Sequence, residues 1–326
     1  MKIGFIGGNG HHYLRGALRD GGNEIAVAGD GHDDAAARRL FESLGGRWFD
    51  DATQMLDTFK PDAASVGAVY VFNGDWAAAA LERDIPTVSD KPIAASWSQL
   101  DRLQSLIAGN TKRILLTEFD FRTRPEFLAA RAAVQSGKIG TPVLATGQKS
   151  YRFGTRPIWY RDRASYGGTL MWIASHAIDV IPFTTGLRLV RAIGHGGNVS
   201  RPDYGSMEDH VAAMFVLSNG GTALVHADLL RPAAAATHGD DRLRIAGSDG
   251  ILEVMGGRCR LITNGAAETD LTDTVTARPI HVELLAALEG QASDLFSTAE
   301  SLATAHLLLR AREAVDAGQW TDLAGR

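Results

Sequence analysis

Over the first 120 residues, short apolar runs alternate with stretches of helical period. The runs fall at residues 3–6, 24–28, 63–67, 87–89 and 113–117, and the helical patterns at 12–19, 33–44, 75–83 and 96–108. Gly7-Gly8-Asn9-Gly10, Gly21-Gly22-Asn23 and Gly29-Asp30-Gly31 punctuate the first three elements. The stretch 33–44 opens on Asp33, a residue that accepts from the free N–H groups of a helix start. Strands alternating with helices of this length predict βαβ units, right-handed crossovers and a doubly wound parallel sheet.

The pattern changes after residue 122. A helix is predicted at 125–136, with Pro125 in its first turn and Gly137 at its end. Longer strand-like runs follow at 143–151, 189–195, 210–217, 222–230, 243–246 and 251–255, with Asn219-Gly220-Gly221 as a hairpin turn between two of them. A helix at 170–184 interrupts this region, and helices at 282–288 and 299–315 close the chain. The expected fold is α/β: an N-terminal Rossmann domain over 1–121, then an α+β domain over 122–326 with a large, mostly antiparallel open sheet. The boundary is a change of topology, because no repeat or low-complexity tether marks it.

Composition narrows the function. The 326 residues are 45% hydrophobic and 22% charged, with a formal net charge of −5 and a pI near 6.1. This balance argues against a broad basic surface and hence against nucleic acid as a partner. The single cysteine, Cys259, excludes an internal disulfide and a cysteine-based zinc cluster. The apolar opening at 1–6 is too short for a signal-peptide core, and no run reaches the 18 or so apolar residues of a membrane span. A soluble, cytoplasmic protein with no membrane partner is expected.

The first strand, glycine turn and helix form the element that holds a pyrophosphate in dinucleotide-binding domains, through free N–H groups and the positive end of the helix dipole. Two readings of the turn are open. In one, Gly7, Asn9 and His12 occupy the three glycine positions, Asn9 being tolerant of left-handed backbone angles. In the other, Gly7 and Gly10 are the key pair. His11 and His12 lie at the helix start, near the expected phosphate; a metal reading lacks a third ligand. Asp30, about twenty residues past the turn, is placed to accept from the ribose hydroxyls. No Arg or Lys follows it directly, which favours NAD over NADP.

Further motifs identify a family. They are Lys2-Ile3-Gly4-Phe5-Ile6-Gly7; the segment Ile85-Pro86-Thr87-Val88-Ser89-Asp90-Lys91-Pro92-Ile93-Ala94; the stretch 126–143 with Ser136-Gly137-Lys138-Ile139-Gly140; and Tyr166-Gly167-Gly168-Thr169-Leu170-Met171-Trp172-Ile173-Ala174-Ser175-His176-Ala177-Ile178-Asp179. Over nearly its whole length the chain resembles the glucose–fructose oxidoreductase / inositol dehydrogenase / MocA family, with Asp90 in place of the Glu of its Glu-Lys-Pro motif.

The resemblance implies an NAD-dependent dehydrogenase acting on a secondary hydroxyl of a sugar- or polyol-like substrate. It implies Lys91 near the nicotinamide, stabilising the alkoxide, and His176 opposite as the base. Asn73 stands in the loop where the family often places a His near the cofactor.

One departure is clear: the family's Asp four residues before the histidine is Trp172 here. An indole donates but does not accept. Trp172 therefore serves as a wall for a sugar face or as plain core, and Asp179 is expected to orient His176 instead. Arg122, Tyr160 and Arg163, with Arg161 and Asp162 beside them, are candidates for substrate recognition. His226, Asp228 and Arg231 on or after a strand are weaker ones.

Two alternatives stay open at this point. One is a redox-neutral lyase or hydrolase that uses bound NAD transiently, and the other is a non-catalytic NAD-binding protein. A homodimer or homotetramer through the C-terminal sheet is expected.

Overall fold

The computed structural model describes residues 1–325, with Asp20 described in its backbone only. The chain divides into two units, Met1–Glu118 with Pro279–His306, and Phe119–Arg278 with Leu307–Arg326.

The first unit holds β1 (Lys2–Ile6), β2 (Glu24–Ala28), α1 (Asp34–Leu44), β3 (Arg47–Phe49), α2 (Ala52–Thr58), β4 (Ala63–Val66), α3 (Asn73–Leu81), β5 (Thr87–Ser89), α4 (Trp97–Gly109) and β6 (Leu115–Thr117). All six strands are parallel, in the order β3-β2-β1-β4-β5-β6, the doubly wound arrangement expected. Every residue of β4 and β5 is buried, as strands covered on both faces require. β4 (Ala-Ala-Ser-Val) is accordingly apolar but for Ser65, whereas β5 (Thr-Val-Ser) buries two hydroxyls as well. Asp33 and Ser96 cap α1 and α4 by accepting from Ala36 N and Gln99 N.

Three features differ from the expectation. The first crossover is a 3-10 helix, Tyr13–Asp20, instead of an α-helix over 12–19. Its buried side chains, Leu14 and Ala17, are three residues apart, the spacing that eclipses in a 3-10 helix. A side chain at Gly16 would meet the His281 ring, its Cβ only 2.4 Å from Nδ1. His281 belongs to α8 (Ile280–Leu288), so 279–306 joins the first unit although the sequence placed all of 122–326 in the second. Neither β3 nor α2 was expected. β3 buries only Phe49 fully, and α2 is seven residues started by Asp51, whose side chain accepts from Thr53 N.

The second unit holds α5 (Pro125–Gln135), β7 (Pro142–Arg152), α6 (Arg163–Tyr166), α7 (Ser175–Thr185), β8 (Leu189–Gly197), β9 (His210–Leu217), β10 (Thr222–Arg231), β11 (Gly239–Gly247), β12 (Gly250–Met255), β13 (Arg258–Thr263) and β14 (Ala266–Asp270). The long helix α9 (Thr298–Ala317) runs from residues of the first unit into those of the second, and β15 (Thr321–Asp322) ends the series. The nine strands run β14-β13-β12-β11-β7-β10-β9-β8-β15. All pairings are antiparallel except β7 with β10. Burial alternates along β9 and β10, the mark of a sheet with one covered face.

On β7, a Cβ at Gly147 would lie 2.9 Å from Ala177 O. Helix α7 thus packs onto the strand at backbone distance, which sets the height of its first turn. The helix expected over 170–184 is two pieces, a π segment at Leu170–Ala174 and then α7. No helix among the described residues is long and apolar enough to cross a membrane.

Candidate active site

The glycine turn after β1 packs against the first residues past β4. Gly7 has φ +77, and a Cβ there would lie 2.5 Å from Gly67 O, so only glycine fits. Asn9 N donates to Gly67 O at 2.8 Å. Its side-chain Nδ2 is buried and without a partner, a donor left over for a ligand oxygen. This orphan fits a pyrophosphate at the turn, where Asn9 and the 3-10 start would hold it.

His12 does not reach outward. It is buried, with Nδ1 2.8 Å from Ser65 Oγ and Nε2 3.2 Å from Gly7 O. A carbonyl only accepts, so Nε2 carries the proton and Nδ1 accepts from the serine. Burial lowers its pKa to about 4, which keeps it neutral as a strut beneath the turn.

His11 stacks on Tyr13, and its Nδ1 lies 3.4 Å from Asp90 Oδ2. The Asp30 carboxylate closes the end of β2: Oδ1 accepts from His32 N and Asp33 N, and Oδ2 accepts from Val69 N at 2.6 Å. Asn73 is fully buried. It accepts from Ala68 N and donates to Asp90 O, so it ties the β4 loop to the turn that carries Lys91.

Two carboxylates lie at that turn, Asp90 within it and Glu118 beside it after β6, neither foreseen as a site residue. Asp90 Oδ2 accepts from His11 N at 2.8 Å and lies 2.5 Å from where a Cβ of Gly10 would stand. Gly10 is therefore required by the carboxylate beneath it. Asp90 Oδ1 is 3.5 Å from the Lys91 ammonium, and both side chains are fully buried. Burial alone would raise the Asp90 pKa, but Lys91 and His11 outweigh it and hold it down at about 2. Glu118, at the end of β6, accepts from Tyr13 N at 3.0 Å. Burial, and then the charge of Asp90, push its pKa well above the usual range. The pKa values of two neighbouring buried acids are thus pushed in opposite directions.

In the second unit, His176 occupies the first turn of α7 and is 2% exposed. Phe119 meets it edge-on at 5.6 Å and Phe121 lies tilted at 5.2 Å. Its Nδ1 is 3.3 Å from Asp120 Oδ1. Asp179 does not orient this ring as expected: Arg122 takes both of its oxygens, at 2.6 and 2.9 Å. Arg122 is correspondingly buried and paired within the fold. Trp172 is buried inside the π segment. A π turn takes one more residue than an α turn, so the i, i+4 stacking assumed between Trp172 and His176 does not carry across it.

The remaining candidates are held by the protein itself. Tyr160 is 1% exposed and stacks on Tyr166. Arg163 bridges Glu208 and Asp316 at 2.8 and 2.6 Å, and Asp162 caps α6. Arg161 lies over the Tyr204 ring. Asp228 accepts from Ser150 Oγ, and Arg231 pairs with Asp240. His226 lies among Gln148, Arg242 and Glu253 on the sheet.

A buried charge cluster beside His176 was missed. Lys149 on β7 is 3.1 Å from Asp241 Oδ1 and lies over Phe121 at 4.2 Å. Arg124 bonds Asp241 and Glu126. The one signal was a lysine on the same strand face as Ala145 and Gly147, where burial calls for small apolar residues.

Residues 1–118 match the NAD-binding Rossmann domain of the GFO/IDH/MocA oxidoreductase family, and residues 127–253 match the family's C-terminal domain. This chain belongs to the GFO/IDH/MocA family. A Thermotoga maritima structure described as an oxidoreductase superposes with a TM-score of 0.92 at 30% identity, covering 99% of this chain and 100% of that one. An inositol dehydrogenase homologue from Azotobacter vinelandii, solved with NAD+, has a TM-score of 0.80 at 17% identity, covering 99% and 97%. Inositol 2-dehydrogenase 2 of Saccharopolyspora erythraea is 24% identical over 210 residues, 63% of this chain. The match spans 60% of the length of that curated relative. For this GFO/IDH/MocA chain, the family assignment gives the first unit its role as the NAD-binding domain.

Proposed function

We propose that the protein is an NAD-dependent dehydrogenase of a secondary hydroxyl on a sugar- or polyol-like compound. Two buried groups carry the reading: Lys91, held against Asp90 in the dinucleotide unit, and His176, clamped by two phenylalanines beside a carboxylate in the other. NAD, when bound, supplies the hydride acceptor. The alcohol's C–H bond gives up hydride only as its O–H proton leaves, so a base must stand within hydrogen-bond reach. His176 takes that proton; an imidazole titrates close to neutral pH. Lys91 stabilises the developing alkoxide by charge and by hydrogen bonding.

Asn9, Gly10, His11 and the turn after β1 bind the pyrophosphate. Asp30, at the end of β2, would repel a 2′-phosphate and so favours NAD over NADP. A soluble homo-oligomer in the cytoplasm remains our reading of its state and location.

Fluorescence titration with NADH and NADPH, followed by a screen of sugars and polyols for NADH formation, tests this. We expect tighter NADH than NADPH binding, stoichiometric NADH per turnover, and loss of turnover in both Lys91→Ala and His176→Ala. Normal turnover in both variants would refute the site. Turnover without net NADH would refute the dehydrogenase reading in favour of redox-neutral chemistry.

A further inference from the structure

His176 shares α7 with a single acidic residue, Asp179. Trp172 stands at the position four residues earlier, and Asp179 is consumed by Arg122. The carboxylate near its ring comes from another element. Asp120, in the 3-10 turn Asp120–Thr123 directly after β6, places Oδ1 3.3 Å from His176 Nδ1. We propose that Asp120 is the positioning residue for His176: it holds the proton on Nδ1, leaves Nε2 as the base, and stabilises the imidazolium once Nε2 has taken the substrate's hydroxyl proton. The inference rests on His176 acting as the base.

The surroundings support this assignment. The chain direction of Asp120 is fixed by Thr123 Oγ1 donating to Asp120 O at 2.9 Å. Its side chain is 23% exposed, against 2% for the histidine, so the pair has one wet and one dry member. The other charges on the packed elements are balanced. Arg122 is neutralised by Asp179. On β7 and β11, Lys149 pairs with Asp241, while Arg124, just before α5, pairs with Asp241 and Glu126 and lies 3.9 Å from Asp120 Oδ2. On β10, Asp228 is spent on Ser150 and on Leu230 N. Burial pulls the Lys149 pKa down, but Tyr151, Asp120 and Asp241 raise it overall, so Lys149 stays a cation. Its charge and that of Asp120 attract one another.

The test uses the full-length protein and histidine side-chain NMR, with the His176 signals identified by their loss in His176→Gln. In the wild type, the neutral ring is expected to be the Nδ1–H tautomer. In Asp120→Asn its pKa is expected to fall by about one unit, since an opposite charge at this distance favours the protonated form. Asp120→Glu is expected to restore it. NADH affinity, a property of the other unit, should stay within about twofold of wild type throughout. With a substrate in hand, kcat of Asp120→Asn should fall roughly 10- to 100-fold, the range typical for loss of a residue that orients a metal-ligating histidine, with KM little changed.

An Nε2–H tautomer in the wild type overturns the proposal without any variant, and so does an unchanged His176 pKa in Asp120→Asn. If no alcohol is turned over, the dehydrogenase reading fails while the tautomer and pKa still decide the role of Asp120.

Discussion

Acidifying the solution from pH 7 to pH 5 is expected to remove about 2 kcal/mol of folding stability through one residue, His12. In the folded protein burial lowers its pKa from 6.5 to about 4, and both ring nitrogens are engaged in the interior, by Ser65 Oγ and Gly7 O. Between those two values the unfolded chain binds a proton that the folded chain refuses. Stability therefore falls as the pH drops through this window and recovers above it. Each unit of separation is worth about 1.4 kcal/mol; at pH 5 the unfolded ring is almost fully protonated and the folded one hardly at all, which gives about 2 kcal/mol, rising to about 3 below pH 4.

The assay is urea unfolding of the wild type and His12→Gln at pH 5, 6 and 7. The variant removes the titration and keeps an amide that can donate toward Gly7 O. The difference between the two proteins' pH slopes isolates the histidine. Because the folded His12 stays neutral over this interval, it should add no pH dependence to NADH affinity between pH 7 and pH 5. Equal slopes for the two proteins would mean that His12 is solvated or protonated in the fold, and the account of the turn would have to be abandoned.

Three further outcomes are expected. Glu118 has the opposite sign: its folded pKa is raised, so its stabilising contribution is complete below about 4.5 and is lost as pH rises. Thermal melts at pH 8 should find Glu118→Gln more stable than wild type and the two closer together at pH 5; a less stable variant at pH 8 would show that the carboxyl is ionised. Removing one member of the buried Arg122–Asp179 pair, as in Asp179→Asn or Arg122→Met, should cost about 3–5 kcal/mol by urea unfolding, because the survivor is left charged and buried. Asp179→Asn should leave the His176 tautomer unchanged, in contrast to Asp120→Asn; a shared effect would mean that Asp179 reaches the ring after all.

The sequence carried the periodic part of the architecture. β4 is legible because a strand buried on both faces is built mainly from apolar residues. β9 and β10 are legible because one covered face forces alternation. Elements without a large buried face left no such trace. All five residues of β14 are exposed, and the 3-10 helix Tyr13–Asp20 packs at Gly16 against His281 of α8, far along the chain.

For the site, Lys91 and His176 could be put forward because their motifs are local in sequence. The carboxylates beside them were not legible, since Asp90 bonds His11 from 79 positions away and Asp120 meets His176 across 56. Asp179 was assigned to the histidine from helical spacing alone, and Arg122, delivered from the turn after β6, claimed it.

Hydrophobic period and local motif chemistry thus determined most of the elements that form, and singled out one lysine and one imidazole as candidates for the site. Tertiary structure alone decided which carboxylate lies beside which ring. Ion pairing and desolvation depend on distance in space, and that distance is set only when the turn Asp120–Thr123, α7 and β7 have packed.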